Sequence, residues 1–174
     1  MSVSRLVAFY LGEKTDLSGR MIDEVLSWDD EKLEYVHDYI QWLFPLQERS
    51  AFLLSAPLIT AEDIIVFRGN PEVREKLLLA FSKLLDFYGF KVLVDSGVAR
   101  VIKSQKFKQK SRNWLKPYNH NFLRITRILK SLVLLGCADY ADAFLAALEE
   151  VYRDNAHIIG EETLCFWRNS IKSS

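Results

Sequence analysis

The stretch "NPEVREKLLLAFSKLLDFYG" at positions 70–89 has the pattern of one long amphipathic helix. Asn70 is a favoured capping residue, and Pro71 suits the first helical position because its missing N–H needs no partner there. Gly89 is the residue type that most often follows a helix end. The apolar residues between them recur at helical spacing: Val73, Leu77, Leu78, Phe81, Leu84, Leu85 and Tyr88. The stretch therefore predicts a core helix.

The segments before this helix also have helical punctuation. Ser18 predicts the cap of a short amphipathic helix with Ile22, Val25 and Leu26 on one side, and Asp29 predicts the cap of a helix that continues to position 44, just before a proline. Thr60 and Asp63 have the spacing of a capping box. The stretch 46–59 between them is predicted to be a surface loop.

The segments after this helix contain one candidate for β structure. "FKVLVDSGVARVI" at 90–102 predicts a hairpin, because two β-branched runs flank a turn sequence. Asn119 predicts the start of a helix, and alanine-rich "ADYADAFLAALEEVYRD" at 138–154 and "EETLCFWRNSI" at 161–171 predict two more. We therefore expect a mainly α fold: a single compact multi-helix domain over 1–174 with at most one short hairpin near 90–102.

Composition narrows the class of protein. The 174 residues are 49% hydrophobic and 13% aromatic, which is typical of a globular chain. No segment reaches the length of a membrane span, so we expect a soluble, cytoplasmic protein. Cys137 and Cys165 are predicted to be reduced, buried thiols, and neither has a neighbour at metal-ligand spacing. We expect no cofactor and no metal.

The charge is unevenly distributed although the formal net charge is zero. No acidic residue lies between Asp95 and Asp139, so that interval is strongly basic and the rest of the chain is acidic by the same amount. Its cations are Arg100, Lys103, Lys106, Lys108, Lys110, Arg112, Lys116, Arg124, Arg127 and Lys130.

Two polar strips carry the candidate site. On the helix predicted from Asp29, the residues Glu34, His37, Asp38 and Gln41 share one narrow face. On the helix predicted from Asn119, a second face carries His120, Arg124, Arg127 and Ser131, beside Asn121. If the strips face each other, the junction is either a structural network or an anion site at the helix start. Both interpretations stay open.

Three functions fit these residues. The first is peptide or protein binding in a groove rimmed by Tyr39, Trp42 and Trp114, where Arg124 and Arg127 orient a carboxylate. The second is an enzyme acting on a phosphorylated small molecule or nucleic acid, with the same arginines as a phosphate clamp and His37 or His120 as acid or base.

The third function is nucleic-acid binding through the basic tract 103–116, in which Phe107 and Trp114 alternate with cations. We favour a solvated basic loop for this tract. A metal-dependent site built on His37 and Asp38 is disfavoured, because only His120 and His157 remain to supply further imidazole ligands. The sequence leaves the oligomeric state open.

Longer motifs point to a family. "FYLGEKTDLSGR" at 9–20, "LSWDDEKLEYVHDYIQWLFPL" at 26–46 and "WLKPYNHNFLRITRILKSLVLLG" at 114–136 are the most distinctive, and "SAPLIT", "LLDFYGF" and "LCFWRNS" accompany them at 55–60, 84–90 and 164–170. In these motifs and their order the chain resembles the conserved N-terminal region of the opioid growth factor receptor family.

The resemblance implies non-catalytic receptors for the pentapeptide Met-enkephalin, associated with the nucleus and linked to restrained cell proliferation. It implies no catalytic residue. The motif positions that we expect to bind a ligand or organise its site are His37, Asp38, Gln41, Trp42, Asn119, His120, Asn121, Arg124 and Arg127.

Overall fold

The helix predicted over 70–89 is present. In the computed structural model, which describes residues 3–172, α6 spans Pro71–Tyr88. Asn70 Oδ1 accepts the N–H groups of Glu72 and Val73 at 2.9 and 3.2 Å, so the predicted cap forms. Gly89 ends the helix with a φ of +93°, a conformation that only glycine adopts without strain.

The prediction of a mainly α fold with one hairpin is confirmed. The remaining helices are α1 (Arg5–Tyr10), α2 (Ile22–Leu26), α3 (Asp30–Tyr35), α4 (Ile40–Leu43), α5 (Ala61–Gly69), α7 (Phe107–Lys110), α8 (Asn121–Leu134), α9 (Ala138–Ile159) and α10 (Glu161–Ser170). A short 3-10 turn, Ser111–Asn113, follows α7. The hairpin consists of β1 (Phe90–Asp95) and β2 (Val98–Lys103), paired antiparallel.

The chain divides into two units, Met1–Lys83 and Leu84–Ser174. The single domain expected over 1–174 stays a prediction. Among residues 3–172, no helix combines the length and the apolar character that crossing a membrane requires.

The first unit has an aromatic core. Phe9 contacts Trp42 edge to face with ring centroids 5.2 Å apart, and Tyr10 contacts Phe67 in the same way at 4.6 Å. The hydroxyl of Tyr10 donates to the carbonyl of Leu43. These rings pack α1 against α5 and the segment around α4. Each buried ring contributes about 2 kcal/mol through removal of apolar area from water.

The second unit is built on α8, α9 and α10, and β2 packs against α9. Trp167 on α10 donates its indole N–H to the carbonyl of Phe122 at 3.1 Å, which fixes α10 to the first turn of α8. Tyr88 and Phe90 follow each other across Gly89, and both pack on Phe144 of α9. The base of the hairpin is therefore part of this core.

The predictions for Ser18 and for Cys165 are wrong. Ser18 does not cap α2, whose N-cap is Met21 without a side-chain hydrogen bond. The hydroxyl of Ser18 donates instead to Asp38. The side chain that was predicted to cap the helix therefore forms a tertiary hydrogen bond. Cys137 is buried as expected, but Cys165 is exposed on α10 because it lies on the outer face, between the buried Leu164 and Trp167.

Candidate functional site

The segment with His37 and Asp38 does not form one continuous helix, so the polar strip predicted there is wrong. Helix α3 ends at Tyr35, Val36 is extended with a ψ of +131°, and α4 begins only at Ile40. Val, His and Asp are all weak helix formers, so the break costs little. Contacts formed by the side chains at the break outweigh that small cost.

Asp38 at this break is held by an ion pair and a hydrogen bond. Arg20 Nη1 lies 2.8 Å from Asp38 Oδ1, and Ser18 Oγ donates to Oδ2 at 2.8 Å. Burial raises the pKa of Asp38, but these hydrogen bonds and the guanidinium charge outweigh it, so the pKa lies below its ordinary value of 3.8. The carboxylate therefore has a structural partner before any ligand is considered.

The same arginine serves a second carboxylate. Arg20 Nε and Nη2 both lie 2.7 Å from Asp16 Oδ2, and the other oxygen of Asp16 accepts the backbone N–H groups of Ser18 and Arg20. Burial lowers the pKa of Arg20, but its two carboxylate partners outweigh this and raise it overall. The residues of "DLSGR" at 16–20 thus organise the His37–Asp38 segment. The sequence interpretation missed this role, although the motif was visible.

The neighbouring motif residues are buried rather than arranged along a groove. Trp42 packs on Phe9, and Tyr39 donates its hydroxyl to the carbonyl of Leu33 at 2.9 Å. Gln41 is only 5% exposed, and its Oε1 has no hydrogen-bond partner among the residues described. His37, in contrast, is exposed. The prediction that Tyr39 and Trp42 form an exposed rim is wrong, because the core of the first unit takes both rings.

The polar strip of α8 is present in the second unit, but most of it is buried. Asn119 Oδ1 accepts the backbone N–H and the side-chain N–H of Asn121 at 2.9 and 3.0 Å. The Oδ1 of Asn121 in turn accepts the hydroxyl of Tyr88 at 3.3 Å and Nη1 of Arg124 at 3.5 Å. Asn119, Asn121 and Arg124 are therefore brought together as a hydrogen-bonded cluster that orders the start of the helix. Arg127 is half-buried and His120 is exposed.

An exposed surface lies at the start of α8 that sequence analysis did not single out. Tyr118 is fully exposed and has a left-handed backbone with a φ of +57°. Leu123, on the first turn of the helix, is 54% exposed, and His120 lies between the two in sequence. We call these three side chains the Tyr118 surface. The string "PYNHN" at 117–121, within the longest motif, is the sequence feature from which this surface could have been predicted.

The basic tract 103–116 does not offer aromatic rings for base stacking. Trp114 is fully buried and donates its indole N–H to the carbonyl of Tyr88 at 2.9 Å, so its predicted place on an exposed rim is also wrong. Phe107 packs against Phe90 with ring centroids 5.1 Å apart. Part of the charge is paired within the unit, since Lys110 Nζ lies 2.7 Å from Asp86 Oδ2. The exposed cations of the tract include Lys106, Lys108, Arg112 and Lys116.

No metal cluster is found in the part of the chain that the structure describes: residues 3–172 hold no group of three or more His, Cys, Asp or Glu side chains placed to bind an ion. Each of the three histidines is exposed, His157 in the last turn of α9.

Comparison with known proteins identifies the family. Residues 4–174 match the family described as "Opioid growth factor receptor (OGFr) conserved region". The chain is 44% identical over 126 residues to the opioid growth factor receptor of Rattus norvegicus, which covers 71% of this chain and 21% of the relative. The human protein of that name is 41% identical over 134 residues, covering 75% of this chain and 19% of the relative.

A second group of relatives has a related name. Opioid growth factor receptor-like protein 1 of Rattus norvegicus is 45% identical over 122 residues, covering 68% of this chain and 25% of that protein. The chain thus spans about a fifth to a quarter of the length of the curated relatives it matches. No solved structure matches it. The chain belongs to the family of the opioid growth factor receptor conserved region.

Proposed function

We propose that this chain is a non-catalytic recognition domain that binds a peptide or protein partner, and that the Tyr118 surface is a principal contact. Its relatives are named receptors for opioid growth factor, so a peptide of that kind is the first ligand to consider. The conformation of Tyr118 is the observation that carries the proposal.

A tyrosine with a left-handed backbone is costly. The conformation destabilises a residue with a Cβ by about 1–2 kcal/mol, and a fully exposed ring recovers none of that cost through burial in this chain. Strain of this kind without local compensation is typical of functional positions. Tyrosine is also among the residues that most often dominate binding energy.

The motif positions then fall into two roles. Buried members order their own unit without touching the partner: Asn121 and Arg124 at the start of α8 in the second unit, and Gln41 and Trp42 in α4 of the first. In the second unit, which carries the Tyr118 surface, the members with exposed or partly exposed side chains are Asn119, His120 and Arg127; in the first unit they are His37 and Asp38. The carboxylate of Asp38 is already oriented by Arg20.

Calorimetric titration with Met-enkephalin, the peptide that the family resemblance implies, tests the proposal. We expect binding that weakens by at least about tenfold in Tyr118→Gly and in His120→Ala. Tyr118→Gly is informative because glycine adopts the left-handed backbone freely, so stability should stay equal or rise while affinity falls. His157→Ala is the matched control, since it removes another exposed histidine outside the motifs.

A second experiment covers other peptides. A displayed library of random peptides is selected on the wild-type chain and counter-selected on Tyr118→Gly. Enrichment of sequences that lose binding in this variant supports the proposal. The proposal is refuted if neither Met-enkephalin nor any library peptide binds in a manner that depends on Tyr118.

A further inference from the structure

The outer edge of β1 offers backbone hydrogen-bonding groups. Ser96 and Gly97 both have positive φ, as a two-residue type I′ turn requires, so Asp95 and Val98 form the hydrogen-bonded pair that closes the hairpin. Hydrogen-bonded and non-hydrogen-bonded pairs alternate along the ladder from there. The N–H and C=O groups of Val92 and Val94 therefore point away from β2.

This edge is not covered near its tip. The sheet has only two strands in the described part of the chain; β2 packs against α9, and β1 contacts α9 through Phe90, its first residue. The side chain of Val94 is 57% exposed and that of Leu93 45%. Natural edge strands are usually protected by proline, bulges or inward charges. The register of β1 is unbroken, and after Lys91 the strand continues as the aliphatic run Val92, Leu93 and Val94, which contains no proline, bulge or inward charge.

The two faces of the hairpin differ in charge. Lys91 and Arg100 are exposed on the same face as Leu93, since Leu93 pairs with Arg100 and side chains alternate along a strand. On the opposite face, Val92 and Val94 pair with Val101 and Ala99, so the half of that face nearer the tip is aliphatic. At its base, Lys103 lies opposite Phe90 and pairs with Glu150 of α9 at 3.3 Å.

More cations lie at the base of the hairpin. Phe107 contacts both Gly89 and Phe90, which places the start of α7 beside the first residue of β1. Lys106 and Lys108 flank Phe107 and are exposed. The only acidic side chain of the hairpin, Asp95, is at the tip of the same face as Lys91 and Arg100 and accepts a hydrogen bond from the hydroxyl of Ser96, so that face keeps an excess of positive charge.

We propose that the edge of β1 binds an extended segment of a partner protein in which acidic and aliphatic side chains alternate. Backbone groups of the segment pair with Val92 and Val94, its acidic side chains align with the face of Lys91 and Arg100, and its aliphatic side chains align with the valine face. Strand addition of this kind derives affinity from main-chain hydrogen bonds and specificity from alternate side chains. The surface shares no residue with the Tyr118 surface, so either proposal can fail without the other.

Amide hydrogen exchange by NMR, on the full chain, tests the pairing. The probe is a peptide of about eight residues that alternates glutamate and valine, long enough to span the strand. In the unbound protein the amides of Val92 and Val94 should exchange fast, whereas that of Leu93, bonded to Arg100, should be protected. The peptide should slow exchange at Val92 and Val94 by at least about tenfold.

Two substitutions at one position separate the backbone from the side chain. Val94→Pro removes an N–H that points away from β2, so the hairpin should persist, with Leu93 still protected, while peptide affinity falls by at least about tenfold. Val94→Thr retains the N–H and should bind within about threefold of the wild type. The Lys91→Glu and Arg100→Glu double variant should prefer a peptide that alternates lysine and valine.

Several results would overturn the proposal. These are the absence of binding at about 1 mM peptide, binding that leaves the exchange of Val92 and Val94 unchanged, and equal affinity in Val94→Pro. Equal binding of a peptide with the glutamates and valines in separate blocks would also contradict it. An RNA or DNA oligomer that binds the hairpin more tightly than the alternating peptide would assign the surface to nucleic acid instead.

Discussion

Gly89 links α6 to the hairpin, and its replacement by alanine should be strongly destabilising. A Cβ at this position would lie 2.8 Å from the Cα of Phe107 and 3.3 Å from the Cβ of Lys110. The φ of +93° alone costs an alanine about 1–2 kcal/mol. Forcing α7 away from the strand adds about 1–3 kcal/mol for overpacking. We therefore expect Gly89→Ala to lower the free energy of unfolding by about 2–5 kcal/mol.

Two other glycines serve as controls for the positive φ and for the close contact at Gly89. Gly97 has a φ of +80° but nothing within 4 Å of a Cβ, so Gly97→Ala should show the conformational cost of about 1–2 kcal/mol alone. Gly69, at the end of α5, has neither constraint, and alanine there should be neutral or stabilising by up to about 1 kcal/mol.

Urea denaturation followed by circular dichroism gives the free energy of unfolding of each of the three glycine variants, provided that the dependence of that free energy on urea concentration is the same as in the wild type. If Gly89→Ala and Gly97→Ala cost the same within about 0.5 kcal/mol, the close approach of α7 to the strand contributes nothing and the reasoning is refuted.

Other predictions concern the first unit. Arg20→Ala should cost about 3 kcal/mol in urea denaturation, because Asp16 is 1% exposed and would lose its cation; an effect under about 1 kcal/mol would contradict this. Asp38→Asn should cost less than about 1 kcal/mol at neutral pH, since that carboxylate is 38% exposed. The pKa of Asp38 is lower in the folded protein than in the unfolded chain. The stabilisation from the Asp38 carboxylate is therefore complete at pH values above the unfolded-state pKa and is lost as the pH falls through the folded-state pKa. The urea midpoints of Asp38→Asn and the wild type should converge below pH 3.8. Thr60→Ala should cost about 1 kcal/mol and Thr60→Ser much less, because Thr60 and Asp63 form a reciprocal capping box; equal midpoints for the two variants would argue against that cap.

The elements that were predicted correctly depend on neighbours in sequence. The cap at Asn70, the capping box at Thr60 and the turn at Ser96–Gly97 each form between residues a few positions apart. The alanine-rich stretch 138–154 is helical as predicted, and α9 continues beyond it to Ile159, past the non-helical Asn155. Local chemistry was sufficient in these cases because the hydrogen bonds and turn conformations that define these features are formed within the same few residues.

The candidate site was predicted less well, because distant residues do compete there. Ser18 and Asp38 lie far apart in sequence but bond to each other, which interrupts the helix expected around His37. Trp114 was expected on the rim of a binding groove, yet it is buried and donates its indole N–H to the carbonyl of Tyr88. A pattern of residue types predicts a polar or apolar face but not which faces the tertiary fold covers.

The sequence by itself determined the family, the helical class and the position of the hairpin, since motifs, caps and turns act over short spans of chain. Only the tertiary structure decided which polar and aromatic side chains remain accessible. Burial removed Trp42, Asn121 and Arg124 from the surface and left Tyr118 on it in a strained conformation. The physical reason is that accessibility depends on packing and hydrogen bonding between residues that are distant in sequence, whose free energies together exceed any local preference.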